Sequence, residues 1–322
     1  MTRLSTVTLI FTLVFAPLAA LAQAPTRTVR VGFVTGVTPP VYLQAFRDAL
    51  RQHGWIEGQN LVFDYRSADG EWDRVPRLAT EVMERKPDVV LLTSTAVQLA
   101  RPILGATPIV FVVAEDPVRT GLVASFARPG GNITGLTSLN VELDAKRLDI
   151  LKQAMPGVSR VGVLTAPRET AHRERLVAIE RAAQSLAVQL HLMNVSRPED
   201  VPRVFDAATR ARVGAVMLLG APPLLQHQAQ ILELATKARL PLVSPWSEFA
   251  DAGGLMTFGT NLPAMFRHAA AIVDRILRGA NPGEIPVERA TRFELVINRK
   301  TAQALGIDIP ASVMLRADRV IE

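Results

Sequence analysis

Between residue 29 and about residue 250 the chain writes one cycle twice. Four short apolar, β-branched runs, VRVGFVTG, LVFDYRSADG, PDVVLLTS and TPIVFVVA, are each followed by an amphipathic stretch. The same order returns as SRVGVLTAP, VQLHLMNVS, VGAVMLLGAP and LPLVSPW. Gly32 and Gly162 hold matching places in the first strand of each cycle, and Pro108 and Pro241 open the fourth. Strands that alternate with helices need crossover connections, hence a mostly parallel sheet with helices on both faces. The duplication therefore predicts two Rossmann-like, doubly wound α/β lobes with a cleft between them. In such sheets ligands bind beyond the carboxyl ends of the strands.

The length of 322 residues suits two lobes, and an apolar fraction of 48% is enough for two buried cores. The formal net charge of +6 is spread as single Arg residues beside Asp and Glu. No block of like charge stands out, so the charge reads as a solvated surface and not as a nucleic-acid footprint. Residues 1–22 combine Arg3, the apolar run VTLIFTLVFAPLAALA and small residues at Ala20 and Ala22, the pattern of a cleavable secretory signal. The apolar run is short for a spanning helix and contains Pro17. With no cysteine there is no thiol to lipidate. The expectation is an unlipidated periplasmic protein beginning near Gln23.

Strand one, from Val29 to Thr35, is apolar almost throughout, as a strand covered on both faces must be. Helices are expected over Tyr42 to His53, Asp73 to Lys86, Val141 to Met155 and Asn261 to Gly279. The stretch GLVASFARPGGNITGL is dense in Gly, Pro and Asn and reads as irregular chain at the first crossover. LMTFGTN reads as a return strand, and FELVIN as a last strand. Lobe I is accordingly assigned to residues 23–138 plus about 256–285, and lobe II to 139–255 plus about 286–322. More than one crossing permits hinge bending while restricting other motions.

Four stretches, in order, resemble the tryptophan/tyrosine-type substrate-binding proteins of ABC transporters. They are VGFVTG with AFRDALRQHGWIEGQNLVFDYRSADG, PIVFVVAEDPVRTGLVASFARPGGNITGL, EFADAGGLMTFG, and FELVINRKTAQALGIDIPASVMLRADRVI. The resemblance covers nearly the whole mature chain. It implies a type I periplasmic binding fold, two lobes closing on a small solute, delivery to an ABC permease in the inner membrane, no cofactor and no catalysis. The chain carries Thr93, Ser94, Thr95 and Phe258 where related chains often show other small residues or a tyrosine, so the resemblance does not name the solute. The expected state is a monomer.

Candidate ligand contacts are the residues at strand ends. Ser94 and Thr95 stand at a helix start, where free N–H groups and the helix dipole favour an anion; an ordinary N-cap explains them as well. Asp116 follows strand four, where it would pair with a ligand ammonium or cap the turn at Pro117; Glu115 is the weaker alternative. Thr35 and Gly36 end strand one, and a glycine lets a ligand approach the backbone or simply makes a tight turn. From lobe II, Thr165, Gly220, Ala221 and Trp246 hold the matching strand ends. Trp246 offers an aromatic face for stacking or serves as a core tryptophan. Asn140 and Phe258 lie near crossovers. The five histidines have no metal-ligand spacing, and no Walker, G-x-S-x-G or G-x-G-x-x-G motif occurs. Aromatic or branched amino acids and small carboxylates are the first solutes to consider. A sensory protein of the same fold, or an exported α/β enzyme, are the alternatives.

Overall fold

The computed structural model describes residues 27–93, 95–114, 116–138, 140–167 and 172–322. The expected leader at 1–22, Ser94 and Glu115 lie outside them.

The first sheet begins with β1 (Val29–Thr35), β2 (Leu61–Ser67), β3 (Val89–Thr93), β4 (Ile109–Ala114) and β5 (Ile133–Thr137), in the spatial order 2-1-3-4-5. The second repeats that order with β6 (Arg160–Thr165), β7 (Gln189–Asn194), β8 (Ala215–Leu218), β9 (Leu242–Ser244) and β10 (Met256–Thr260), arranged 7-6-8-9-10. Both sets are parallel throughout. The duplication expected from sequence is thus a duplication of topology, and each sheet reverses its strand order beside its first strand. β11 (Glu288–Arg289) extends the first sheet beside β5, while β12 (Phe293–Asn298) and β13 (Arg319–Ile321) extend the second.

β1 is buried at all but Arg30, as expected for a strand with helices on both faces, and β2 lies at the edge with half-buried residues. Gly32 is required by packing: a Cβ there would stand 2.4 Å from Cγ1 of Val82 on α2 (Val75–Glu84). Its counterpart Gly162 admits the sulfur of Met193. Helix α1 (Pro40–Gln52) starts with proline at its first position, where the missing N–H costs nothing, and buries Tyr42, Phe46, Ala49 and Leu50. Tyr42 takes the inward place at its first turn, and Leu43 packs half-buried against the same core.

Two parts of the sequence reading need correction. The Gly- and Pro-rich stretch before the first crossing contains β5, whose Gly135 has a φ of 156° and lies so close to Phe111 that a Cβ would meet its carbonyl oxygen at 2.1 Å. The glycine marks close strand contact there, not irregular chain. The return strand β10 belongs to the second sheet, where Met256 and Thr257 pair with Val243 and Ser244 of β9, completing five strands as β5 does in the first. What returns to lobe I is α10 (Leu262–Leu277), whose Phe266 stacks on Tyr42 with ring centroids 5.6 Å apart. Because β11 joins β5, the third crossing falls between Ala290 and Phe293, not near residue 286.

Trp55 fastens α10 to lobe I: its indole Nε1 donates to Asp274 Oδ1 at 2.8 Å, and Arg278 lies over its ring. Trp55→Phe removes this buried charge-assisted bond, with an expected loss of about 1–3 kcal/mol, checked as a lower urea midpoint with an unchanged slope.

Candidate functional site

The carboxyl ends of both sheets meet at a cavity of about 740 Å³, its open mouth included. From lobe I, Val37, Thr38 and Pro39 follow β1, Thr93 ends β3 and Val113 stands near the end of β4. Val113 has a φ of 60°, which a β-branched side chain adopts only under constraint, and the pairing of β4 with β5 shifts register there. From lobe II come Gly220 after β8 and Pro245 and Trp246 after β9. Ser138, Asn140 and Thr260 come from the crossings.

Aromatic surface dominates this cavity. Tyr42, Trp72, Trp246 and Phe266 line it, so two of the chain's three tryptophans and one of its two tyrosines converge on one place. Trp72 is held by Gly36: a Cβ on Gly36 would lie 2.1 Å from Cη2 of the indole, so the ring rests directly on that backbone. Trp246 is backed by Phe249 at 6.0 Å between ring centroids.

The polar groups are few and mostly hydroxyls. Thr35 is fully buried beneath the wall, and its Oγ1 lies 2.6 Å from Thr93 Oγ1 and 2.9 Å from Thr38 Oγ1, which fixes the two threonines that do line the cavity. Ser138 Oγ and Thr260 Oγ1 are buried and lack a hydrogen-bond partner among the described residues. Unpaired buried hydroxyls are costly in a finished core and ordinary in a site awaiting a polar ligand.

The lobes also touch outside the cavity. Arg119 pairs with Glu174 at 2.5 Å, and the Gln226 carboxamide packs where a Cβ on Gly70 would stand. The Tyr42 hydroxyl faces the Glu248 carboxylate of α9 (Ser247–Asp251). These contacts hold the two lobes together over the cavity.

A family model described as ABC transporter substrate binding protein matches residues 33–321. The chain belongs to this family. Its members' fold is that of type I periplasmic binding proteins, with two parallel-dominated sheets flanked by helices. A conserved domain protein from Vibrio cholerae O1 biovar El Tor shares 26% identity and a TM-score of 0.85, over 91% of this chain and all of that one. An ABC domain in complex with L-Trp from Streptococcus pneumoniae gives 22% and 0.83, over 91% of this chain and 100% of that one. A tyrosine-binding protein of Clostridioides difficile (strain R20291) is 24% identical over 268 residues, 82% of this chain and 76% of that protein.

Within this substrate-binding chain, the strand-end residues chosen from sequence have different fates. Asn140, Gly220 and Trp246 line the cavity. Thr35 and Gly36 lie just behind the wall, supporting Thr38, Thr93 and Trp72. Thr95 faces an outer chamber of the cleft that also touches the other side of Trp72. Asp116 is exposed and caps its own turn, its Oδ1 accepting from the N–H groups of Val118 and Arg119 at 3.0 and 3.1 Å. It borders a separate polar chamber with Arg119 and Glu174. Thr165 is buried against His172 Nδ1 at 3.0 Å, and buried Ala221 precedes α7 (Pro222–Gln226). Phe258 packs with Phe293 on the outer core of lobe II. Trp72, Thr38, Ser138 and Thr260 went unnoticed in sequence; the scarcity of aromatic residues, 5% of the chain, was the available signal for Trp72.

Burial drives the Tyr42 hydroxyl well above its ordinary range, and Glu248 beside it adds to the rise. Burial likewise raises Glu248, with Asp251 and Glu294 adding repulsion and the Tyr42 hydrogen bond opposing it. A carboxyl raised in the folded state holds its proton more tightly there than in the unfolded chain. Its contribution to stability is therefore full at low pH and is lost as pH rises from the ordinary glutamate value through the raised one. Glu248→Gln should abolish that part of the dependence and raise the melting temperature at pH 7 relative to the native chain, checked by thermal unfolding between pH 4 and 8.

Proposed function

We propose that this chain is the exported solute-binding component of an ABC importer and that it encloses a small aromatic solute between its lobes for delivery to a permease in the inner membrane. The observation that carries this reading is the cavity itself: aromatic side chains and unpaired hydroxyls from both lobes and two crossings converge on one space. A cavity of this size suits an indole or phenol ring with a short polar substituent. The relatives described as binding tyrosine or holding L-Trp support the aromatic class.

The chain binds without chemistry. The family is one of solute-binding proteins, and among the described residues the cavity wall offers hydroxyls, an amide and aromatic rings. Among the described residues no group of acidic or histidine side chains is placed to hold a metal ion, and no helix is long and apolar enough to cross a membrane. Export by a cleaved leader, an unlipidated periplasmic location, a monomeric state and no nucleic-acid partner complete the proposal. The contacts to the solute are Thr38, Tyr42, Trp72, Asn140, Trp246 and Thr260, with Thr35 and Gly36 supporting them from behind.

Titration of the protein with L-tryptophan, L-tyrosine and non-aromatic amino acids by calorimetry tests the reading. Binding confined to the aromatic set is expected. Trp246→Ala should weaken it at least tenfold, equivalent to about 1.4 kcal/mol, and Trp72→Ala should do the same, while Asp116→Asn changes affinity little. Equal binding of non-aromatic solutes, or unaltered affinity in both tryptophan variants, overturns it.

A further inference from the structure

Helix α10 presents two different faces to two different spaces. Leu262 and Phe266 line the aromatic cavity, whereas Ala264, Arg267, His268 and Ala271, spaced three or four residues apart, line a separate groove of about 1080 Å³, its open mouth included. The facing wall is β11 and the third crossing, residues 288–292, and the buried side chains of Leu136 and Met265 lie at its apolar floor. The groove is thus built on the seam between the lobes. There the backbone N–H of Asn261 donates to the Arg292 carbonyl at 3.0 Å, which holds the second and third crossings side by side.

The charge in this groove is one-sided. Arg267, Arg289 and Arg292 line it against a single acid, Glu288, whose Oε2 lies 3.2 Å from His268 Nε2. The Arg289 guanidinium rests 4.6 Å from the centre of the Phe126 ring, which fixes its place without neutralising it. Arg267 and Arg292 are exposed, and neither has an ion-pair or side-chain hydrogen-bond partner among the described residues. The polar chamber that shares Arg289 is balanced the other way, with Asp116, Glu142 and Glu174 against Arg119 and Arg289. The excess of arginine therefore belongs to the groove and is not a uniform reflection of the net charge of +6.

A guanidinium offers a planar fork of donors that matches the oxygens of a phosphate group. Here one fork comes from a helix and one from a crossing, on facing walls. An apolar floor beneath them strengthens each attraction relative to open water. Three arginines against one acid favour a ligand with more than one negative charge.

We propose that the groove between α10 and the third crossing is a second binding site, separate from the solute cavity, for an anion carrying two linked phosphate groups. Arg267 and Arg292 grip the anion from the facing walls, and Arg289 stands at the boundary with the polar chamber. The shared chemistry is the diphosphate, supplied either as a free anion or as a lipid headgroup.

Calorimetric titration of the whole protein with inorganic pyrophosphate at low ionic strength is expected to show one site. Arg267→Gln and Arg292→Gln should each weaken it by about fivefold or more, and added salt should weaken it further. Both arginines are exposed and unpaired, so both variants are expected to melt at the native temperature in the absence of anion. Arg210→Gln, at an exposed arginine ending a helix of the second lobe, should leave affinity unchanged. Sedimentation with phosphatidylcholine vesicles containing cardiolipin, a lipid with two phosphates, separates the sources. Co-sedimentation that is lost in both groove variants assigns the phosphates to a headgroup, and pyrophosphate binding without co-sedimentation assigns them to a free anion. Failure to bind either probe, binding that both groove variants leave unchanged, or equal weakening by Arg210→Gln overturns the site.

Discussion

The chain passes between its two sheets three times, and the three passages run side by side. Arg289 of β11 is paired with Thr137 of β5, and Phe293 of β12 with Thr260 of β10. The segments leaving β5, β10 and β11 therefore lie along one seam at the carboxyl edges of both sheets. This constraint orders the rest of the molecule. Because each strand order reverses beside its first strand, the loops of both lobes are left facing each other across that seam. Bending at the seam opens and closes a space without changing the walls that define it.

Each wall has a different physical character, and the difference follows from what lies behind it. In lobe I the support is apolar: Tyr42 stacks on Phe266, and Phe33 packs among Phe46, Phe63 and Tyr65. In lobe II it is ionic, with Asp144 clamped between two arginines that also hold the carbonyls of Gly220 and Phe258. Those bonds tie two helices to the middle of β10 and to the chain just after β8, and without Asp144 two buried guanidinium groups would repel. A buried ion cluster is weak evidence for stability, since hydrophobic packing could fill the same volume at less desolvation cost.

The two lobes and most helices were legible because they follow from periodicity, which sequence records directly. β5 was not, because its glycine signals an approach to Phe111 that exists only in the folded sheet. The assignment of β10 failed for a related reason: a strand's residues say that it is buried, not which sheet buries it. At the site, Trp246 and Gly220 could be chosen from their places at strand ends, and both line the cavity. Trp72 could not, because it belongs to a short 3₁₀ turn after β2 and reaches the cavity only by lying on Gly36. Asp116 was attractive as a charge at a hinge, yet two backbone N–H groups of its own turn already occupy one of its oxygens. Short-range capping competes with ligand binding for the same atoms, and sequence cannot say which prevails.

The positions of the unpaired hydroxyls connect recognition to closure. Ser138 and Thr260 stand at the first and second crossings, so a solute that satisfies them bonds to the seam and not to either lobe alone. In the function proposed above, Trp72 and Tyr42 meet the solute from lobe I and Trp246 from lobe II, since all three line the cavity. A ligand shifts a two-state equilibrium only by the difference in its affinity for the two states. One that touched the seam alone would bind open and closed forms equally and move nothing; one that reaches both aromatic walls gains its second set of contacts only on closing. The Arg119–Glu174 pair and the Gln226 contact with Gly70 also form only when the lobes approach, yet both lie near the surface, where ion pairs contribute little. The buried contact of the Tyr42 hydroxyl with Glu248 also joins the lobes, and a solute that reaches both walls adds its own contacts to that one.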